Sequence, residues 1–263
     1  MSEASGATEA PKASAAESGP GVYGKISTKG DFVTRRLTRG FVEPWDTWLQ
    51  AAMAHSREKL GEAWLPAYLN APIWRFALSA GICGDAVMAG VVMPSIDKVG
   101  RHFPLALVAE ADPAAVPAAL FAAAEDWFAG LEDLALSTLE DGFAFEAFDK
   151  ALTACGPPPQ AGAATMEFGP QRPLEGGRWR FAVDPACALG PGDPLVVHQI
   201  LRSFMPKQSL WWCTGSERVA PSFLVCDGLP KGDGFVALLD GEWARWSWSG
   251  TKPGAMPWLD EES

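Results

Sequence analysis

The sequence predicts an α/β fold, a single domain whose largely antiparallel or mixed sheet is sandwiched between α-helices. Three observations predict it. Strand-like runs at Ile73–Leu78, Ala86–Met93 and His102–Ala109 are joined by short, turn-rich loops (SAGICGD and PSIDKVG), which favours antiparallel neighbours over crossover units. Segments with apolar residues at helical spacing lie before and after these runs. The elements of the C-terminal part are too short to close a core alone, so one continuous sheet is expected.

Residues 1–20 are mostly Ala, Ser, Glu, Gly and Pro, with almost nothing to bury, and read as a disordered tail. The domain is expected over residues 21–250. It divides into a core at 21–155, a loop at 156–175 opening with Gly-Pro-Pro-Pro, and a C-terminal part at 176–250, with residues 251–263 as a second tail.

The first helix is expected to open at Pro44, a residue suited to a first turn. Trp45, Trp48, Leu49, Ala52, Met53 and Leu60 follow at helical spacing, with Asp46, Gln50 and Arg57 to Lys59 placed for solvent. A second helical patch, Trp64, Leu65, Tyr68 and Leu69, ends at Asn70, two residues before Pro72. In the second strand-like run, AVMAGVVM is apolar on both faces, as a central strand covered on both sides should be.

A long amphipathic helix is expected from Pro117 to Leu139, with Leu120, Ala124, Trp127, Phe128, Leu131 and Leu134 as its stripe. Glu125/Asp126, Glu132/Asp133 and Glu140/Asp141 repeat along another face. Further on, a strand is expected at Arg178–Val183 and a helix opening at Pro194, with Val197, Ile200, Leu201 and Phe204 on one face. Strands at Leu210–Cys213 and Ser222–Cys226 precede an aromatic run of Trp243, Trp246 and Trp248.

Net charge is −11 over 263 residues. A chain this acidic is a poor candidate for nucleic acid, which needs a basic footprint. It has no apolar stretch of the roughly 18–20 residues a membrane span requires, so no membrane insertion is expected. The five cysteines are scattered without a CxxC pair, which fits a reducing, cytoplasmic setting.

Chemical motifs are sparse. Gly19 to Lys25 fits GxxxxGK, but Ile26 stands where Ser or Thr should hold Mg²⁺, and the context is a tail feeding a strand. The three histidines, His55, His102 and His198, form no metal-binding pattern. His55 and His198 read as ordinary surface or boundary residues of helices. No nucleophile motif occurs, and no cofactor is expected. The enzymatic alternative is a hydrolase-like site built from Asp31, Asp97, Arg101 and His102.

Two segments stand out. Lys25 to Arg39 carries five basic residues and one acid, with Gly30-Asp31 read as a tight turn and Phe32 dipping into the core. These bases either complement the chain's own acidic helix or dock an acidic or phosphorylated partner surface; both accounts stay open. The candidate contacts are Lys29, Arg35, Arg36 and Arg39, with Glu125, Asp126, Glu132 and Asp133 on the acidic side. Met93 to Pro104 is the second segment, where an Asp97–Arg101 ion pair across Gly100 would fix a hairpin, with a binding role as the alternative. The Trp211-Trp212 corner is a third candidate surface, with at least one of the two rings pointing into the core.

Four blocks resemble a known family. Gly24-Lys25 with Gly30-Asp31-Phe32, then Trp45-Asp46-Thr47-Trp48-Leu49, look like the opening of the TagF (ImpM-like) family of type VI secretion accessory proteins. Pro72-Ile73-Trp74-Arg75 and Pro94-Ser95-Ile96-Asp97 with Gly100-Arg101-His102-Phe103-Pro104 continue the match, although Ser27 stands where the family often has Pro. The resemblance implies an α/β fold and a cytoplasmic, repressor-type regulator acting on the system's forkhead-associated (FHA) scaffold protein. It implies no catalytic residues. Trp45, Trp48, Trp74 and Phe103 are then expected as core anchors, and Gly30 and Gly100 as turns.

Overall fold

A computed structural model of the chain describes residues 19–113, 115–159 and 204–248, together with His198 and Leu201. Its strands are β1 (Gly21–Gly24), β2 (Val33–Arg35), β3 (Trp74–Leu78), β4 (Met88–Met93), β5 (Leu105–Glu110), β6 (Gln208–Cys213) and β7 (Ser222–Asp227). Among the described residues they form one sheet in the order β2-β1-β5-β4-β3-β6-β7, and every pairing is antiparallel. Short connections account for the β1–β2, β3–β4, β4–β5 and β6–β7 pairs, since neighbouring strands so joined reverse direction.

Helices cover both faces. On one lie α1 (Arg39–Leu60), a 3₁₀ turn (Gly61–Ala63), α2 (Trp64–Leu69) and α6 (Asp233–Asp240). On the other lie α3 (Pro117–Ala123), α4 (Glu125–Ser137) and α5 (Phe145–Ala154). The period-2 alternation of strands sorts the core between them. In β4, Met88 and Val92 face α1, whereas Ala89, Val91 and Met93 face α4. Gly90 sits where β4 and β5 press together; a Cβ there would meet the Leu107 carbonyl oxygen at 2.1 Å.

Trp45 is the centre of the first core layer. It is fully buried, with ring centroids 5.3 Å from Phe41, 4.8 Å from Trp48 and Phe76, and 6.2 Å from Trp211. Large rings of this kind dominate core burial. Two more indoles tie the sheet and α1 to the C-terminal part: Trp48 Nε1 donates to Pro230 O at 2.7 Å, and Trp74 Nε1 to Leu238 O at 3.1 Å.

Several elements depart from the sequence expectation. α1 starts at Arg39, because Thr38 is extended and its Oγ1 accepts from Phe41 N at 3.4 Å, capping the helix before Pro44 is reached. Pro44 therefore stands in the second turn, where it forgoes one helical hydrogen bond. The helix expected over Pro117–Leu139 is two, broken at Ala124 (φ −111°, ψ 26°). The break carries the chain from above β3 and β6 to above β4 and β5. β5 begins three residues after His102, which instead bridges Ile96 across the loop. α5 and α6 were not expected: α5 is hidden in an acid-rich stretch, and the short run Phe235–Leu239 shows no clear period.

Both rings of the Trp211-Trp212 corner are buried, one on each face of β6, so that corner is core and not surface. The expected strand at Arg178–Val183, both tails beyond residue 19 and residue 248, and most of the helix from Pro194 lie outside the described residues. Leu201 and Phe204 are helical. Among the described residues no helix is long and apolar enough to cross a membrane.

Candidate functional site

Two loops at one end of the sheet are locked together by one carboxylate. After β4, the segment Pro94–Pro104 makes a turn whose apex needs a left-handed residue, supplied by Gly100 (φ +83°). Gly100 N donates to Asp97 O at 2.9 Å, and Asp97 N to Arg101 O at 3.0 Å. Asp97 Oδ1 accepts from Val99 N at 3.0 Å and Arg101 N at 2.8 Å, so the side chain organises its own loop.

The other oxygen reaches across to β1. Asp97 Oδ2 accepts from Lys25 Nζ at 2.7 Å and from Arg101 Nε at 2.6 Å. Lys25 and Asp97 are both buried. Lys25 is delivered by the end of β1, where Gly24 (φ +133°) runs so close to Pro104 that a Cβ would meet its carbonyl oxygen at 2.1 Å. Arg101 Nη2 donates to Gly30 O at 2.5 Å and Lys98 N to Lys29 O at 3.1 Å. Ser95 Oγ donates to Lys25 O at 2.8 Å. Tyr68 OH both donates to Ser95 O (2.8 Å) and accepts from Ser95 N (2.9 Å).

Burial opposes ionisation of Asp97, but the hydrogen bonds from Lys25, Arg101 and Val99 outweigh it and hold the carboxyl well below its ordinary range. One carboxylate thus serves two cations, and the unit keeps a net positive charge. Burial, with Arg57 nearby, lowers the His102 pKa. The His102 ring stands edge-on to Trp64 and Tyr68, with centroids 5.5 and 5.7 Å away.

What this framework presents to solvent is mixed. Val99 at the apex is 70% exposed. Phe32 is 47% exposed, so it does not dip into the core; it lies on the surface over Tyr23 (6.0 Å) and Phe103 (4.8 Å), with Lys25 Nζ 5.2 Å from its centroid. Lys29 and Arg35 both lie over the Phe145 ring, at 5.0 and 5.8 Å. Arg101, 60% exposed at its side chain, and the exposed Lys98 add charge to the same loops. The tight turn of the first loop falls at Ser27-Thr28, where Lys29 N donates to Ile26 O at 2.9 Å; Gly30-Asp31 is only a bend.

The remaining charged candidates divide between internal pairs and open surface. Arg36 Nε donates to Pro20 O at 3.0 Å, and its Nη1 lies 2.7 Å from Asp149 of α5, without hydrogen-bond geometry. Arg39 pairs with Glu43 at 2.6 Å on the exposed side of α1. Glu125 and Glu132 both serve Arg75, buried on β3: Glu132 accepts at 2.8 Å from Nε and from Nη2, and Glu125 at 2.6 Å from Nη1. Hydrogen bonds to Glu132 raise the Arg75 pKa beyond its already high value, with Glu125 adding to the effect. Asp126 and Asp133 are exposed.

Asp31, Asp97, Arg101 and His102 form no open acid–base pair. Asp97 is saturated with donors, Asp31 is exposed, and His102 packs between aromatic rings. His198 is not a surface residue: it is buried, with Nδ1 2.6 Å from Gln208 Nε2. His55 is half-buried, with Nε2 2.7 Å from Asp233 Oδ1. Sequence reasoning missed the role of Tyr68, which looked like one more apolar residue of a helical stripe.

Residues 21–155 match the family model described as TagF N-terminal domain, Type VI secretion system-associated. Both clamped loops lie inside this match. A solved relative is PA0076 from Pseudomonas aeruginosa PAO1, 38% identical, with a TM-score of 0.73 over 90% of this chain and 99% of that one. No curated protein matches the chain.

Proposed function

We propose, given that this chain belongs to the TagF family of type VI secretion-associated proteins, that it is a cytoplasmic, repressor-type regulator acting by protein–protein binding and not by catalysis. Its partner in this reading is the FHA-domain scaffold protein of the secretion system.

The observation that carries the reading is the Asp97 clamp. A surface that must recognise a partner gains from being held rigid before the encounter, because less ordering is needed on binding. Here one buried carboxylate, fully bonded, fixes two loops that expose Phe32 and Val99 among Lys29, Lys98 and Arg101. Exposed apolar side chains with basic groups outnumbering the one exposed acid, Asp31, suit a protein interface with an acidic counterpart. Arg35 and Arg39 would extend the basic side, and Asp126 and Asp133 would offer an acidic contact on the α4 side.

The test is titration calorimetry of the purified scaffold against this protein and its Lys29→Glu/Lys98→Glu variant. Neither ammonium bonds within the Asp97 network, Lys98 is exposed, and Lys29 gives up only its contact with the Phe145 ring, so the fold should be retained. A loss of about tenfold or more in affinity, with wild-type binding weakening as salt rises, supports the reading. Equal affinity of the two proteins rules out this face, and no binding by either rules out the partner.

A further inference from the structure

A groove of about 740 Å³ runs along one flank of α1, between that helix and the segments that follow β3, precede β6 and precede α6, and no residue of the Asp97 clamp lines it. Its helix wall extends from Glu43 to His55, twelve residues on, which at 1.5 Å per residue is about 18 Å. The floor is apolar: Trp48, Ala52 and Leu229 are buried beneath Pro44, Ala51 and Ile82. The Trp48 indole N–H is already spent on Pro230 O. The walls are pre-formed, with Gly228 N donating to Lys207 O at 2.6 Å and Gly81 N to Gly84 O at 2.7 Å.

The charge is uneven. Glu43 is neutralised by Arg39 at 2.6 Å, and His55 is held by Asp233 at 2.7 Å. Lys207 and Lys231 on the loop wall are exposed and have no ion-pair partner among the described residues. In a chain of net charge −11, an uncompensated basic wall beside an apolar floor is a local exception.

We infer that this groove is a docking site for an extended, acidic segment of a protein partner, with carboxylates on Lys207 and Lys231 and an apolar side chain over Trp48. The length of the groove selects a peptide over a compact ligand, since about five extended residues at ~3.3 Å each fill it. Charge complementarity selects an acidic one. The site is independent of the clamped loops and stands or falls separately from the regulatory reading.

Fluorescence anisotropy with the full chain tests it, using a labelled pentapeptide alternating Asp and Leu. Saturable binding is expected, weakened about tenfold or more by Lys207→Glu/Lys231→Glu and by Ala51→Trp, which plugs the groove from an exposed position. The Lys29→Glu/Lys98→Glu variant should bind the peptide as the wild type does. No saturable binding, or equal binding of the same peptide with Lys in place of Asp, overturns the inference. So does unchanged affinity in the groove variants, loss in the Lys29→Glu/Lys98→Glu variant, or full competition by octanoate, which would mark a small-carboxylate site.

Discussion

Lys25 and Asp97 stand 72 positions apart in the sequence, yet their side chains meet at 2.7 Å in the protein interior. A buried ion pair of this kind adds little stability against apolar replacement but is costly to break from one side, because it strands a charge. Its value here is geometric, since it fixes the register of two loops that share no strand pairing with each other.

The first prediction follows from that asymmetry. Asp97→Asn should lower the unfolding midpoint more than Arg101→Gln does, because Arg101 is largely exposed while Lys25 would be left buried without its counter-ion. Lys25→Met/Asp97→Asn should recover part of the loss. A thermal-denaturation cycle checks this, and additive losses would show that the pair is not coupled.

Arg75 joins the sheet to α4 through two glutamates, one of them half-buried. Arg75→Met should destabilise the protein by about 2–4 kcal/mol in urea unfolding, most of it from Glu132 losing its partner. Glu125→Gln, at a largely exposed position, should cost under about 1 kcal/mol.

Two buried tryptophans should respond differently to Phe. Trp45 Nε1 has no hydrogen-bond partner, whereas Trp211 Nε1 donates to Ser209 Oγ at 2.9 Å. Trp45→Phe therefore sheds an unsatisfied donor along with ring area and should cost less than about 1.5 kcal/mol. Trp211→Phe should cost about 1 kcal/mol more, and Trp45→Ala about 3–5 kcal/mol, all by equilibrium denaturation.

His102 predicts a pH dependence. Its folded pKa lies below the ordinary 6.5 because of burial and the Arg57 charge, with Lys25 adding to the effect and Asp97 opposing it. The unfolded chain then binds the proton first, so stability is full above pH 6.5 and falls as pH drops through that value towards the folded pKa. His102→Gln should remove this first loss. The carboxyl of Asp97, held below its ordinary 3.8, contributes stability that persists above that value and disappears only as pH falls through the lower folded pKa. Melting temperatures from pH 2 to 8 separate the two, the His102 loss beginning below pH 6.5 and the Asp97 loss only below 3.8.

Much of the architecture was legible because short loops and period-2 apolar runs carry it: β3, β4, β5, β6 and β7 are all present, and β4 is buried on both faces. The Asp97–Arg101 pair was legible because its members are four residues apart. Lys25, 72 residues away, was not, since no local pattern encodes a contact made by tertiary packing. Phe32 misled for a related reason. Hydrophobicity implies burial, whereas this ring is stacked on Tyr23 and Phe103 and left open on its other side. The groove along α1 was invisible, because its walls come from four separate segments.

The most direct measurement is hydrogen exchange by mass spectrometry on this protein, alone and bound to the purified scaffold. If the Asp97 clamp presents the docking face, protection should rise over residues 25–35 and 94–104 and leave β3 and β4 unchanged. Protection confined to residues 43–55 and 228–232, or none at all in a formed complex, would contradict that claim.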